Sequence, residues 1–213
     1  GNDNTLTHIY DIAFSPDGRE FASVGVDGLL LRWILPGATK DLTDLADRIV
    51  VERNPGLGER LYSVAYHPSR KGVVVTGGKR NIEMVNMEQR GTLLASPLAS
   101  KDGATGRWHA VAMDPQGSTI AVARGDNFIE FWRRRSAGVE SVPEWSIDAG
   151  KGTRFALHPS GLILVTAACN GEVRSWQLED GKPPVPSLIA KGEGPALPCP
   201  ATTPVFSRDG VFV

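Results

Sequence analysis

The sequence lacks the short motifs that mark most enzymes. It contains no Gly-x-Ser-x-Gly nucleophile elbow, no phosphate-cradling glycine loop, no zinc-protease histidine pair and no dinucleotide-binding fingerprint. Its two cysteines, Cys169 and Cys199, are too few for a disulfide framework and do not have the paired spacing of a metal knuckle. We therefore expect a protein without catalytic residues, bound metal or cofactor.

Strong net charge and long apolar runs are also absent. The formal net charge of −1 and the pI near 6.5 give no general attraction to nucleic acid or to membranes. No apolar run reaches the roughly 18 residues of a membrane span, and the N-terminal region lacks the order of a signal peptide. We expect a cytoplasmic protein with free thiols that binds neither membranes nor specific nucleic acid.

What the sequence does contain is a repeated tight turn. Most copies place Pro second, where its fixed φ suits a turn, and all of them end in Gly, which accepts positive φ. The closing glycines recur at intervals of 54, 45, 44 and 49 residues, which is the spacing of a repeat protein. The five turns are Ser15–Gly18, His67–Gly72, Asp114–Gly117, His158–Gly161 and Ser207–Gly210.

Each turn joins an alternating strand to a more continuous apolar strand, and a third strand and a fainter fourth follow. Four antiparallel strands in about 40 to 50 residues are typical of a β-propeller blade. We therefore predict an all-β fold of four blades and the start of a fifth. The predicted first strands are Ile9–Phe14, Leu61–Tyr66, Trp108–Met113 and Gly152–Leu157. The predicted blades span about 5–52, 58–97, 105–148 and 150–192, and the fifth begins at about 200–213.

The first unit resembles the WD-repeat family, since Phe14 and its turn are followed by Ala22-Ser23, Asp27-Gly28 and Trp33. In that family the hydroxyl residue, the turn Asp and the strand-end Trp belong to a hydrogen-bonded tetrad that a His completes. The resemblance implies that unit four contributes equivalent residues. The tetrad-like residues are Ser23, Asp27, Trp33, Thr166, Asn170 and Trp176.

The units also depart from the family pattern. The Asp that should follow the strand-end Trp is replaced by Ile34, Arg133 and Gln177, and unit two has Val85 in place of Trp. The family's Gly-His pair is absent at its usual distance before Phe14. We therefore expect these blades to be held chiefly by apolar packing.

Propellers commonly close with six or more blades, whereas four units and part of a fifth are visible here. A half-propeller would expose an apolar sheet face and an unpaired edge. We therefore expect Gly1–Val213 to be part of a larger propeller of six to eight blades. The remainder would lie on the same parent protein or on another chain.

Propellers usually bind partners through the face that carries the loops entering each first strand and the turns between second and third strands. Here that face collects an excess of cations, which suits carboxylates or phosphates, and a tryptophan anchor. The alternative is a solvated, functionally silent face. The predicted partner-face residues are Arg60, Lys79, Arg80, Arg107, Trp108, Arg124, Lys151 and Arg154. Cys169 and Cys199 map to the same face, where a disulfide is the alternative to free thiols.

The resemblance implies a non-catalytic protein–protein interaction scaffold, or a sensor or recruitment propeller, within a larger multidomain or multichain protein. Its expected partner is a protein or an acidic or phosphorylated peptide on the basic face. Two alternatives stay open. One is a propeller that gates or recruits substrate for an associated peptidase or other enzyme, and the other is a propeller hydrolase with its site in the central channel.

Overall fold

The computed structural model describes residues 8–35, 50–53, 60–79, 82–89, 92–93, 108–125, 127–135, 138–139, 143–179, 181–192, 203–207 and 210. Across these ranges every regular element is a β-strand. The strands form four antiparallel sheets, one for each predicted unit. The predicted all-β fold of propeller blades is therefore confirmed.

Blades one, two and four contain four strands in sequence order, and blade three has a short fifth strand at its edge. Blade one consists of β1 (Ile9–Phe14), β2 (Glu20–Gly25), β3 (Leu30–Ile34) and β4 (Val50–Arg53). Blade two consists of β5 (Leu61–Tyr66), β6 (Val73–Gly78), β7 (Ile82–Asn86) and β8 (Thr92–Leu93). Blade three consists of β9 (Trp108–Met113), β10 (Thr119–Arg124), β11 (Phe128–Arg135), β12 (Gly138–Val139) and β13 (Trp145–Asp148). Blade four consists of β14 (Arg154–Leu157), β15 (Ile163–Ala167), β16 (Glu172–Gln177) and β17 (Val185–Lys191).

The first strands of blades one to three have the predicted bounds. That of blade four begins at Arg154 rather than at Gly152, and β11 continues past the predicted end at Trp132 to Arg135. In the fifth unit the structure shows a single bridge residue, Phe206, followed by a turn in which Gly210 N–H donates to Ser207 O at 2.9 Å.

The repeated turns have the predicted backbone. Their closing glycines, at positions 18, 72, 117, 161 and 210, have φ values of 67°, 66°, 66°, 76° and 83°. Only glycine adopts this left-handed region without steric cost, so the periodic glycines mark real chain reversals. These turns lie at one end of the blades, here called the exit face. The starts of the first strands and the turns between second and third strands lie at the opposite end, the entry face.

The core lies between neighbouring blades. Each of three buried apolar clusters combines residues of two consecutive blades, so each cluster fills a seam: one–two, two–three or three–four. In seam one–two, for example, Ala22 and Val24 pack with Val64 and Val74. Each sheet is therefore stabilised mainly by burying its faces against the adjacent sheets.

On the exit face the turns of adjacent blades touch. His67 is buried, and its Nδ1 accepts the Ser69 and Arg70 backbone N–H groups at 3.2 and 3.1 Å. A Cβ placed on Gly117, in the next blade, would overlap the His67 imidazole, whereas a Cβ on Gly18 would meet nothing within 4 Å. Gly117 is therefore required both by its φ and by a close approach of two blades.

A tryptophan-to-hydroxyl hydrogen bond ties the second and third strands of two blades. In blade one Trp33 Nε1 donates to Ser23 Oγ at 2.8 Å, and in blade four Trp176 Nε1 donates to Thr166 Oγ1 at 3.0 Å. Both pairs are ten residues apart and occupy the same register between strands. These are the contacts that the resemblance implied for the hydroxyl and Trp positions.

Blades two and three each retain one half of this pair. Thr76 in blade two has the hydroxyl, but the Trp position is Val85. Blade three has Trp132, but Val122 holds the hydroxyl position, and the buried Trp132 Nε1 has no hydrogen-bond partner among the described residues. A buried donor without an acceptor lowers stability.

We expect Gly117→Ala to destabilise the protein more than Gly18→Ala does. Both changes place alanine at positive φ, which costs about 1–2 kcal/mol. Only Gly117→Ala adds the overlap with His67. This overpacking should lower the stability by about another 1–3 kcal/mol. Chemical denaturation of the two variants measures the difference. His67→Asn shortens the side chain and keeps an acceptor, so in that background the two alanine variants should differ less in their free energies of unfolding. Equal destabilisation by Gly117→Ala and Gly18→Ala would contradict the contact between Gly117 and His67.

We expect Val122→Thr to stabilise blade three by about 1 kcal/mol, because the new hydroxyl would accept the Trp132 Nε1–H. Thr166→Val, which makes the reverse change in blade four, should cost about 1–2 kcal/mol. Free energies of unfolding provide the test. In a Trp132→Phe background the gain from Val122→Thr should disappear, so a gain that persists there would mean that the hydroxyl acts through another group.

Candidate functional site

The entry face presents part of the predicted set of cations to solvent. Arg60, Lys79 and Lys151 are exposed, and Arg154, the first residue of β14, is half-buried. Lys79 N–H donates to Arg60 O at 3.1 Å, so these two residues are neighbours in blade two. The structure therefore places predicted cations on blades two and four. Arg80 and Arg107 lie outside the described residues.

Arg124 and Trp108 are not available on this face, which corrects two predicted binding residues. Arg124 is 5% exposed and its Nη1 pairs with Glu130 Oε1 at 2.8 Å, while its guanidinium carbon lies 5.3 Å from the centre of the Phe128 ring. Trp108 is 1% exposed and belongs to the cluster of seam two–three. The reason is that β10 extends to Arg124, which pairs in register with Trp108 and brings both inside the sheet.

An aromatic row lies at the same end of the blades as these cations. The rings of Tyr10 and Tyr62 have centroids 5.3 Å apart, and those of Tyr62 and His109 are 6.4 Å apart in an edge-on arrangement. The three residues hold the same position in the first strands of blades one, two and three, four residues before the strand end. Tyr10 is 44% exposed, so the row reaches solvent.

Sequence reasoning missed this row, although a signal was present. Tyr10, Tyr62 and His109 each come directly after the first residue of a predicted first strand. Alignment of the units on their closing turns brings them to one position, and first strands of consecutive blades are neighbours in a propeller. The equivalent residue in blade four is the buried Thr153, where the row ends.

A carboxylate lies beneath the aromatic row. Asp11 Oδ2 accepts the Val64 N–H of blade two at 2.9 Å, and its Oδ1 accepts the Ile12 N–H at 2.9 Å. Burial raises the pKa of Asp11, while these two N–H groups and the positive charge of Arg154 oppose that rise. Asp11 therefore links blades one and two.

The turn residues Asp27 and Asn170 also lie on the entry face. Asp27 Oδ1 accepts the Leu29 N–H at 3.1 Å, and Asn170 Oδ1 accepts the Glu172 N–H at 3.0 Å. Each side chain thus bonds the backbone two residues further on, as Asx residues do in turns. In both blades these contacts shape the turn between the second and third strands.

Cys169 lies in the entry-face turn of blade four and is disulfide-bonded. The expectation of a free thiol is therefore wrong for this residue. The second cysteine of the chain, Cys199, lies outside the described residues. Because Cys169 N–H also donates to Lys151 O at 3.0 Å, the disulfide-bonded turn is joined to the segment that carries an exposed cation.

Among the described residues no group of three or more His, Cys, Asp or Glu side chains could hold a metal ion. The described part of the chain also contains no helix that is long and apolar enough to cross a membrane.

Comparisons with known proteins agree with the blade architecture. The family model "WD domain, G-beta repeat" matches residues 3–33, which include β1, β2 and most of β3. The chain is also similar to the WD repeat-containing protein slp1 of Schizosaccharomyces pombe, with 22% identity over 185 residues. The match covers 84% of this chain and 35% of that relative, so the chain spans about a third of its length.

WD repeats generally mediate protein–protein interactions as scaffolds without chemistry of their own. The matched first repeat, the WD-repeat relative and the four antiparallel blades together show that this chain is similar to WD-repeat proteins.

Proposed function

We propose that the chain is a non-catalytic recruitment propeller whose entry face binds an acidic or phosphorylated peptide. The observation that carries the proposal is the exposure of Arg60, Lys79 and Lys151 at the same end of the blades as the aromatic row. Arg offers bidentate hydrogen bonds to carboxylates and phosphates, and Lys adds a compact charge. Tyrosine rings bury apolar area with little loss of side-chain freedom. The row therefore replaces Trp108 as the apolar anchor of the proposed site.

Solvent exposure decides which cations can contribute. Arg124 is already paired and buried, so a partner would gain nothing from it without breaking its ion pair with Glu130. Arg60, Lys79 and Lys151 can reorient toward a ligand at little cost. Arg154, the half-buried first residue of β14, would add a further positive charge.

We also propose that further propeller blades, on the same parent or another chain, cover the free side of blade one. Ile12 and Phe14 are 54% and 60% exposed, whereas the equivalent residues of blade two, Val64 and Tyr66, are 4% and 8% exposed because blade one covers them. On the side of blade one that carries Ile12 and Phe14, no other sheet of the described residues packs against it. A sheet packed there would extend the series of seams and bury both side chains.

The basic-face proposal predicts that charge reversal on the entry face abolishes preference for acidic peptides. The probe is an array of short peptides in which Asp, Glu or phosphoserine replaces serine, titrated with the labelled protein. Simultaneous Arg60→Glu, Lys79→Glu and Lys151→Glu changes should weaken the affinity for the acidic peptides that the unmodified protein binds by about tenfold or more. The reason is that attraction becomes repulsion.

The matched control reverses three exposed cations of the exit face, Arg19, Arg70 and Lys71, which makes the same change in net charge. This control should bind nearly as well as the unmodified protein, and thermal unfolding shows whether both variants remain folded. Equal weakening by the two triple variants, or no preference for acidic over serine peptides, would contradict the proposal.

A further inference from the structure

The exit-face half of each seam is filled in a different way. In seam one–two the filling is ionic. Arg32 of blade one pairs with Glu20 at 2.5 Å within its own sheet and reaches Glu88 of blade two at 3.5 Å. The Arg32 and Glu20 side chains are only 9% and 5% exposed. Burial and the charge of Glu20 raise the pKa of the buried Tyr66.

In seam two–three the filling is apolar. Met84 takes the register position of Arg32, because Met84 pairs with Val75 as Arg32 pairs with Ala22. Met84 is 3% exposed and packs with Met113 of blade three. Flexible thioether side chains fill irregular gaps well, so this seam is closed without charges.

Seam three–four is open at the corresponding place. A cavity of about 360 Å³ separates the two sheets. Its apolar walls are Ala121, Phe131 and Trp145 of blade three and Leu157 and Leu178 of blade four. A space of this size exceeds the gaps of a close-packed interior and is within the range of ligand sites.

The register shows what is missing from this seam. Phe131 pairs with Ala121 and therefore holds the position of Arg32, and Thr119 holds the position of Glu20. Glu179, two residues after the end of β16, holds the position of Glu88, two residues after the end of β7. Blade four thus has the carboxylate that receives an arginine in seam one–two, while blade three has Phe131 at the position of that arginine.

The charges around the cavity favour a cation. Of the lining residues, the carboxylates Asp114, Glu144 and Glu179 outnumber the cations Arg133 and Lys182. Arg133 Nε donates to Glu144 at 2.7 Å, and Lys182 Nζ donates to Glu179 at 2.5 Å in an exposed pair. Such an exposed pair is worth little, so a better-placed cation could displace Lys182.

We propose that this cavity binds an arginine side chain of a partner polypeptide. The guanidinium takes the place that Arg32 occupies in seam one–two and pairs with Glu179. Its methylene stem packs along Leu157 and Leu178, and the Phe131 and Trp145 side chains line the same cavity. Trp145 Nε1 is buried without a partner among the described residues, so it can donate to a backbone carbonyl of the bound segment.

The site lies on the exit-face half of the blades and selects the opposite charge from the proposed basic face. The two sites are therefore independent, and either can fail without the other. Together they would let one propeller hold two segments of differing charge.

The test titrates the protein with Nα-acetyl-arginine methylamide and follows the indole N–H signal of Trp145 by NMR. Nα-acetyl-citrulline methylamide, which has the same shape and no charge, serves as the control ligand. The arginine derivative should shift the Trp145 signal saturably and bind about tenfold more tightly than the citrulline derivative, because it alone forms the charged pair. Equal binding of the two compounds, or no saturable shift, would overturn the proposal.

Variants separate the arginine site from nonspecific binding. Glu179→Gln should weaken the arginine derivative by about tenfold, and Lys182→Ala should tighten it by about two- to threefold because the competing cation is gone. Lys71→Ala, which removes an exposed cation paired with Glu88 on the same face, should change nothing. Weaker binding in Lys182→Ala would contradict the assigned role of Glu179.

Ala121→Leu should abolish binding by filling the cavity, and undisturbed indole signals of the other tryptophans would show that the variant is folded. If this core change unfolds the protein, the two surface variants at positions 179 and 182 decide the question. Unchanged binding in a folded Ala121→Leu protein would place the ligand elsewhere and overturn the proposal.

Discussion

The structure depends on one constraint, which is that every sheet must bury its face against the next sheet. Seam one–two shows how closely adjacent sheets pack. Asp11 of β1 accepts the Val64 N–H of β5. At seam two–three a Cβ on Gly77 would lie 2.8 Å from the Trp108 carbonyl. Backbones approach so closely that small residues and hydrogen-bonded side chains are required at fixed register positions.

This constraint acts on positions rather than on residue types. The position of Arg32 is an arginine, a methionine and a phenylalanine in the first three blades. The corresponding seams hold an ion pair, apolar side chains and a cavity. The Trp-to-hydroxyl pair follows the same rule, since blades one and four keep both halves while blades two and three keep one each. Apolar packing maintains the fold where the hydrogen bond is lost, because the area buried in each seam outweighs a single bond of about 1 kcal/mol.

The strands and turns could be predicted from the sequence because their signals are local. The closing glycines need only their own φ, and alternation within a strand needs only its own residues. The site could be predicted only in part. Arg124 looks like any exposed turn cation until its pairing with Glu130 and its register with Trp108 are known, and these contacts depend on where β10 ends.

The aromatic row and the cavity escape local reasoning for a related reason. Tyr10, Tyr62 and His109 become one surface only when three units are aligned on their turns and placed side by side. The cavity is defined by a comparison between seams, since Phe131 and Glu179 are unremarkable within their own blades. In a repeat fold the shared pattern specifies the scaffold, and departures from it at equivalent positions create the differences between seams. Residues that differ at one register position, with a retained partner across the seam, are therefore where specific binding sites are expected.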